Sequence, residues 1–253
     1  RYETIVDTLK KDLPEEAVIR HLDLLPEQYM RVNSRTSIRD HIKGIDRMKT
    51  KGAWASFKRG RDYSLLSVIT EDYPHALSDI CGTITSSGIN IIGARIFTRD
   101  DGIIIDTFLV MNREGGPVIP DESQREFKRN MRNVVRGKVE VTALIEGYHR
   151  RWRRMKQDVV FSPPRVKMHN DISARYTVVD IFAIDYTGLL YDITSVFSSM
   201  DIDIHTARIG TDEDQVADAF YINLPGGGRI EDSNLLDALK KALMKKLRDA
   251  YDN

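Results

Sequence analysis

Ile89-Asn90-Ile91-Ile92-Gly93-Ala94-Arg95-Ile96 has the β-branched density of a strand, and Ile202-Asp203-Ile204-His205-Thr206-Ala207-Arg208-Ile209 repeats its outline further on. The offset is 113 residues, and at the same offset Asp72 falls on Asp185, Tyr73 on Tyr186 and Asp79 on Asp192. After a one-residue gap, Asp106 and Phe108 fall on Asp218 and Phe220. Matching this dense marks a duplication, and a duplication constrains the fold more than any single segment does.

Working outward, the first copy reads as a strand at 64–70, a turn at 71–74 and a helix carrying Leu77, Ile80, Cys81 and Ile84. Gly88 suits the left-handed stop of that helix. Strands at 89–98 and 103–111 flank the tight turn Asp100-Asp101-Gly102. A helix at 121–136 follows, with Phe127, Met131 and Val134 inward, and then an alternating strand at 138–145. The second copy repeats the order with a strand at 176–184, a helix at 189–200, strands near 203–211 and 216–224, and a helix with Leu236, Leu239, Leu243 and Leu247. It stops before a fourth strand. Its open edge is expected to be covered by Arg165-Val166-Lys167-Met168 hairpinning back onto 176–184.

Residues 1–60 read as a charged helical connector, with Ile5, Leu9 and Leu13, then Val18, Leu22 and Leu25, then Ile38, Ile42, Ile45 and Met48 on successive stripes. Ser34 and Ser37 are both candidate caps. The expected architecture is therefore α+β. The connector (1–60) precedes a ferredoxin-like βαββαβ module (61–147), a basic linker and edge strand (148–174) and a second such module (175–253).

Composition narrows the function. The chain has 253 residues, with 38 basic and 38 acidic side chains and 41% apolar residues, which fits a globular protein rather than a disordered one. Zero net charge argues against a dedicated nucleic-acid or anionic-membrane binder. No apolar run approaches a membrane span, and the single Cys81 fits a reducing, cytoplasmic setting. The chain opens on Arg1, so it is expected to be a piece of a longer protein.

Catalytic signatures are missing. Asp201-Ile202-Asp203 lacks a preceding Gly-Ser loop and falls at a helix-to-strand junction, and the six histidines show no metal-ligand spacing. Gly226-Gly227-Gly228 has no following Lys-Ser/Thr and reads as a turn. An RNA-recognition module shares this strand order, but its stacking aromatics are absent. His149-Arg150-Arg151-Trp152-Arg153-Arg154 reads as a solvated linker, with docking of an acidic partner as the alternative.

The two turns that open the first helix of each copy are the informative sites. They read Asp72-Tyr73-Pro74-His75-Ala76-Leu77 and Asp185-Tyr186-Thr187-Gly188-Leu189-Leu190. Both resemble the Asp-x-Pro-Gly turn of ACT domains, small modules that bind amino acids and regulate attached enzymes. The first copy lacks the Gly and the second lacks the Pro. The stretch 89–98 with Asp106-Thr107-Phe108 resembles the first ACT domain of the protein-PII uridylyltransferase/uridylyl-removing family. Residues 175–178, 188–192 and 203–209 resemble its second, and Leu24-Leu25-Pro26-Glu27-Gln28-Tyr29 its connector. The resemblance implies a non-catalytic glutamine sensor that acts on upstream uridylyl-transferring and phosphohydrolase domains. It also implies PII as the partner of the parent enzyme and a divalent metal such as Mg2+ only in those upstream domains. Nucleic acid and membrane are not expected as partners.

The residues support such a site on their own terms. A helix N-terminus offers unpaired N–H groups and a positive dipole end to a carboxylate. Gly188 allows close backbone approach, Asp72 or Asp185 can take an ammonium, and Asn90 can bond an amide or amine. A plain capping role for the Asp residues is the competing reading. The candidate ligand-binding residues are Asp185, Gly188, Leu189, Leu190, Asp203 and Ile204, with Asp72, His75, Ala76, Leu77, Asn90 and Ile91. Copy two, with Gly188 in place of His75, is expected to bind more tightly, and the modules are expected to pair within the chain or across a dimer. The alternatives are an ACT pair serving another enzyme or amino acid, and a docking module without a small ligand.

Overall fold

The structure is a computed structural model that describes residues 1–151, 163–209, 211–212 and 215–252. The connector forms α1 (Tyr2–Leu9), α2 (Glu15–Asp23), α3 (Glu27–Val32) and α4 (Arg35–Lys51). Ser34 is the residue that caps α4, its hydroxyl accepting from the Ser37 N–H at 3.1 Å, while Ser37 lies inside the helix. The helical reading fails before residue 60. Gly52, at φ 80°, stops α4, and β1 (Ala53–Arg59) follows.

The first module continues with β2 (Ser64–Glu71), α5 (Ala76–Ser86), β3 (Ile89–Arg95), β4 (Ile103–Asn112), α6 (Asp121–Val135) and α7 (Val141–Arg151). The strand expected at 138–145 does not exist. That stretch lies largely in α7, where Val141, Ile145 and Tyr148 are buried on one helical face, and its place at the sheet edge is taken by β1. His149, Arg150 and Arg151 are accordingly the last turn of a helix and not a linker; the rest of that basic stretch lies outside the described residues.

The second module comprises β5 (Arg165–His169), β6 (Thr177–Ile184), α8 (Leu189–Ser199), β7 (Asp203–Arg208), β8 (Thr211–Asp212), β9 (Gln215–Asn223) and α9 (Ser233–Asp252). As expected, β5 pairs antiparallel with β6, placing Val166 opposite Ile181. The two sheets run β1-β2-β4-β3 and β5-β6-β9-β7, with β8 attached to β9. Each module is therefore ββαββα, its outer strand supplied from upstream. Both β3 and β7 shift register at the same repeat position, between Ile91 and Gly93 and between Ile204 and Thr206.

The modules pair side by side. The β3 and β7 edges meet through a bridge between Ala94 and Ile209, and α5 packs along α8. Cys81 and Thr194, equivalent under the 113-residue offset, face each other as thiol and hydroxyl, which places a pseudo-twofold axis between them. Gly82 makes this approach feasible, because a Cβ there would fall 2.5 Å from Val141 Cγ2 and 2.9 Å from the Tyr191 ring. One continuous apolar core runs through both modules, from Phe108 and Phe127 to Phe197 and Phe220.

A second core seals the connector onto the back of the first sheet, where Ile69, Ile105 and Phe97 meet Leu22, Tyr29, Ile38 and Met48. Inside it lies a chain of buried polar groups. Arg99, held by Asp101 at 2.9 and 2.7 Å, donates to His21 Nδ1 at 3.4 Å. A guanidinium only donates, so the His21 proton sits on Nε2, 2.9 Å from the Tyr29 hydroxyl. Tyr29 then donates to His41 Nδ1 at 2.7 Å, and His41 Nε2 donates to the Ser67 hydroxyl at 3.3 Å. Burial, reinforced at His21 by the nearby Arg99 charge, pulls His21 down to about 3; burial pulls His41 down to about 4. Both rings are neutral at neutral pH.

Candidate functional site

Pairing of the modules creates two sites related by the repeat. In the first, the turn of copy two that opens α8 (Asp185, Gly188, Leu189, Leu190) faces β3 of copy one, bringing the Asn90 amide to the Asp185 carboxylate. In the second, the turn of copy one that opens α5 (Asp72, His75, Ala76, Leu77) faces β7, where the charge of Asp203 acts on Asp72. Under the offset Asn90 corresponds to Asp203, so each site takes its turn from one module and its opposing strand from the other. Ile91 and Ile204 are the neighbouring strand residues, Ile91 buried and Ile204 half-buried. Asp72 and Asn90 consequently belong to different sites.

The local chemistry of the turns is shared. In each, the Asp accepts the backbone N–H of the following Tyr. Leu189 N–H closes on the Tyr186 carbonyl at 3.0 Å and Ala76 N–H on the Tyr73 carbonyl at 3.1 Å. Those two N–H groups are therefore engaged within the turn, and the first-turn donors open to a ligand begin one residue later, at Leu190 and Leu77. The residue before each helix is left-handed, Gly188 at φ 101° and His75 at φ 71°. His75 is exposed, so its side chain points to solvent and leaves the turn open.

Environment separates the two sites. Asp185 is half-buried; burial raises its pKa, while the Asn90 amide and the Tyr186 N–H work against that rise and favour the carboxylate. Asn90 Oδ1 is buried and has no partner, an acceptor with nothing to accept. Asp72 is exposed at the surface, and both burial of its carboxylate and the Asp203 charge raise its pKa. Beneath that turn Asp106, 1% exposed, accepts Phe97 N–H at 3.3 Å through Oδ1 and leaves Oδ2 without a partner. Burial pushes Asp106 well above the carboxylate range.

Sequence reasoning named the turns and the strand residues but missed which turn meets which strand. It also passed over Tyr186, whose hydroxyl donates to Asp192 Oδ2 at 2.8 Å and ties the copy-two turn to its helix. The repeat alignment of Tyr186 with Tyr73 and of Asp192 with Asp79 was the signal available for it. Among the described residues no group of three or more His, Cys, Asp or Glu is placed to hold a metal ion.

Comparison with known proteins bears on the same two modules. The ACT domain model matches residues 64–119, and the ACR9-like, ACT-like domain model matches residues 165–251. Both modules are ACT domains. The whole chain is similar to the bifunctional uridylyltransferase/uridylyl-removing enzymes of Gluconobacter oxydans, at 32% identity over 96% of this chain, and of Rhodospirillum rubrum, at 28% over 92%. It spans about a quarter of those relatives, 26% and 25% of their lengths respectively. Among solved structures, aspartate kinase from Synechocystis aligns over 73% of this chain and 27% of its own, at 12% identity and a TM-score of 0.37. The described helices include none long and apolar enough to cross a membrane.

Proposed function

We propose that this ACT pair is the glutamine-sensing regulatory part of a bifunctional uridylyltransferase/uridylyl-removing enzyme that acts on PII, and that glutamine binds where Asn90 meets the copy-two turn. The observation that carries this reading is the unpartnered, buried Asn90 Oδ1 beside Asp185. An α-amino acid has complementary groups for each element of that site. Its ammonium suits the Asp185 carboxylate, its carboxylate suits the first-turn N–H groups at Leu190, and its side-chain amide can donate to Asn90 Oδ1. A glutamate side chain would set a carboxylate against that carbonyl oxygen and leave the acceptor unsatisfied. Uridylyl addition and removal belong in this reading to upstream domains of the same cytoplasmic parent, which would also hold the divalent metal.

The mechanism follows from the site's location between modules. Ligand that bridges the α8 turn to β3 tightens the β3–β7 seam, and a signal passes on only through the difference in affinity between the closed and loosened arrangements. The test is thermal melting with free amino acids. A ligand bound only by the folded chain adds about 2.7 kcal/mol at 100 times its dissociation constant. Glutamine is expected to raise the melting temperature more than glutamate or alanine, and Asn90→Ala to remove most of that gain. Equal shifts with all three amino acids would move the reading to an ACT pair for another ligand.

A further inference from the structure

A second feature lies far from the module seam, at the outer edge of the second sheet. Here β5 and α9 run alongside each other and leave an open groove of about 810 Å³. Its floor is Val166 and Met244, and its walls carry Lys240, Lys241, Lys245 and Arg248 from α9 with Arg165 and Lys167 from β5. Asp249 is the one carboxylate along it. None of the six cations forms an ion pair among the described residues, although the chain as a whole is charge-balanced. Arg165 and Lys167 instead lie over the Phe182 ring, 5.2 and 5.8 Å from its centre.

The equivalent seam of the first module carries an aromatic contact. Between β1 and α6, Phe57 meets Phe127 edge-on at 5.9 Å, with Lys128 over Phe57 at 5.5 Å. In the second module β5 pairs only with β6 among the described strands, so its outer edge presents backbone N–H and C=O groups beside the cationic wall. We propose that the groove between β5 and α9 takes up an acidic, extended peptide segment of a partner protein as an added strand. Backbone pairing with β5 supplies the register, the acidic row of the added strand points to the helix face and meets the α9 cations, and its apolar row points to the opposite face, beside Phe182. The chain that leads into β5 is not complementary in charge, since residues 152–162 carry Arg153, Arg154 and Lys156 against Asp158.

The test uses the full chain and a fluorescent peptide of alternating Glu and Val, followed by anisotropy. Saturable binding that weakens with added salt is expected, because rim charges are screened beyond a Debye length of about 8 Å at physiological ionic strength. Lys241→Glu with Lys245→Glu should weaken binding by about tenfold or more, the size of change that reversing two docking charges brings. A peptide with Pro at its centre should lose binding comparably, because Pro cannot donate to the ladder. Absence of saturable binding to the wild-type chain, undiminished binding by the charge-reversed variant, or equal binding of the Pro peptide would overturn the proposal. So would tighter binding of a short oligothymidylate or of phosphatidylserine vesicles than of the peptide.

Discussion

The two interface sites are built from the same repeated parts but differ in what the turn faces. The copy-two turn looks across at an amide, Asn90, and is half-buried; the copy-one turn looks across at a carboxylate, Asp203, and is exposed. In a symmetric dimer of single modules the two sites would have to be identical. Here the difference between Asn90 and Asp203 at one repeat position puts an amide opposite Asp185 and a like charge opposite Asp72. The modules differ in a second way. The first is roofed on its back face by the connector and its buried histidines, whereas no connector helix packs on the second.

Acidification is expected to have the largest effect and to separate the modules by that roof. His21 and His41 are neutral when folded, at about 3 and about 4, against an ordinary value of 6.5. The unfolded chain therefore takes up protons first as pH falls, so their contribution is complete above about pH 6.5 and is lost progressively below it. Linkage puts the loss at about 2 kcal/mol per histidine at pH 5. Asp106, whose pKa is raised, works in the opposite sense: acidification favours its folded, protonated form. Burial raises Asp72, Asp79 and Asp185 as well and lowers His205. Denaturant melts at pH 7 and 5 of the wild-type chain and of His21→Gln with His41→Gln isolate the histidine contribution, and an equal pH dependence in both would contradict the buried chain.

Gly82 and Ser195 occupy equivalent positions on α5 and α8, and they should respond unequally. Gly82→Ala places a methyl 2.5 Å from Val141 Cγ2 and is expected to cost about 1–3 kcal/mol through overpacking. Ser195→Ala removes only a hydroxyl bonded to its own helix at Asp192 O, and should stay within about 0.5 kcal/mol. Urea midpoints measure both, and equal effects would mean that the module seam does not depend on this close approach.

The smallest difference concerns the turns themselves. Gly188→Ala forces a side chain into φ 101°, with its Cβ 3.2 Å from Thr85 Cγ2, and should cost about 1–2 kcal/mol. His75→Gly relieves a left-handed residue at φ 71° and should gain about 0.5 kcal/mol, after the added freedom of the unfolded chain is offset. Melting temperatures moving the same way for both variants would show that the turns are not conformationally equivalent.

Much of this was legible in the sequence because the repeat fixed the order of elements and the helical stripes placed the core. The misreading of 138–145 has a plain cause. Val141 and Ile145 are four apart, a spacing that satisfies both a strand face and a helix face, and only packing against α5 decides between them. The first edge strand was hidden because Trp54 and Phe57 follow a helix directly, and their pairing with Ile69 and Leu66 is a tertiary fact. The candidate site was legible in its halves and not in its assembly, since Asn90 and Asp185 lie 95 residues apart. His21 and His41 carried no metal spacing, and the sequence offered no sign that Tyr29 would join them.

The chain of hydrogen bonds from Arg99 to Ser67 has a mechanical side. Its middle links, His21 to Tyr29 to His41, lie within the connector, and its two end links cross to the first module, from Arg99 to His21 and from His41 to Ser67 on β2, so rotating the connector against the first sheet would break both ends together. The connector is thereby keyed to the first module at two separate points, so a displacement of β2 or of the Arg99 loop would reach α4 and α2 directly.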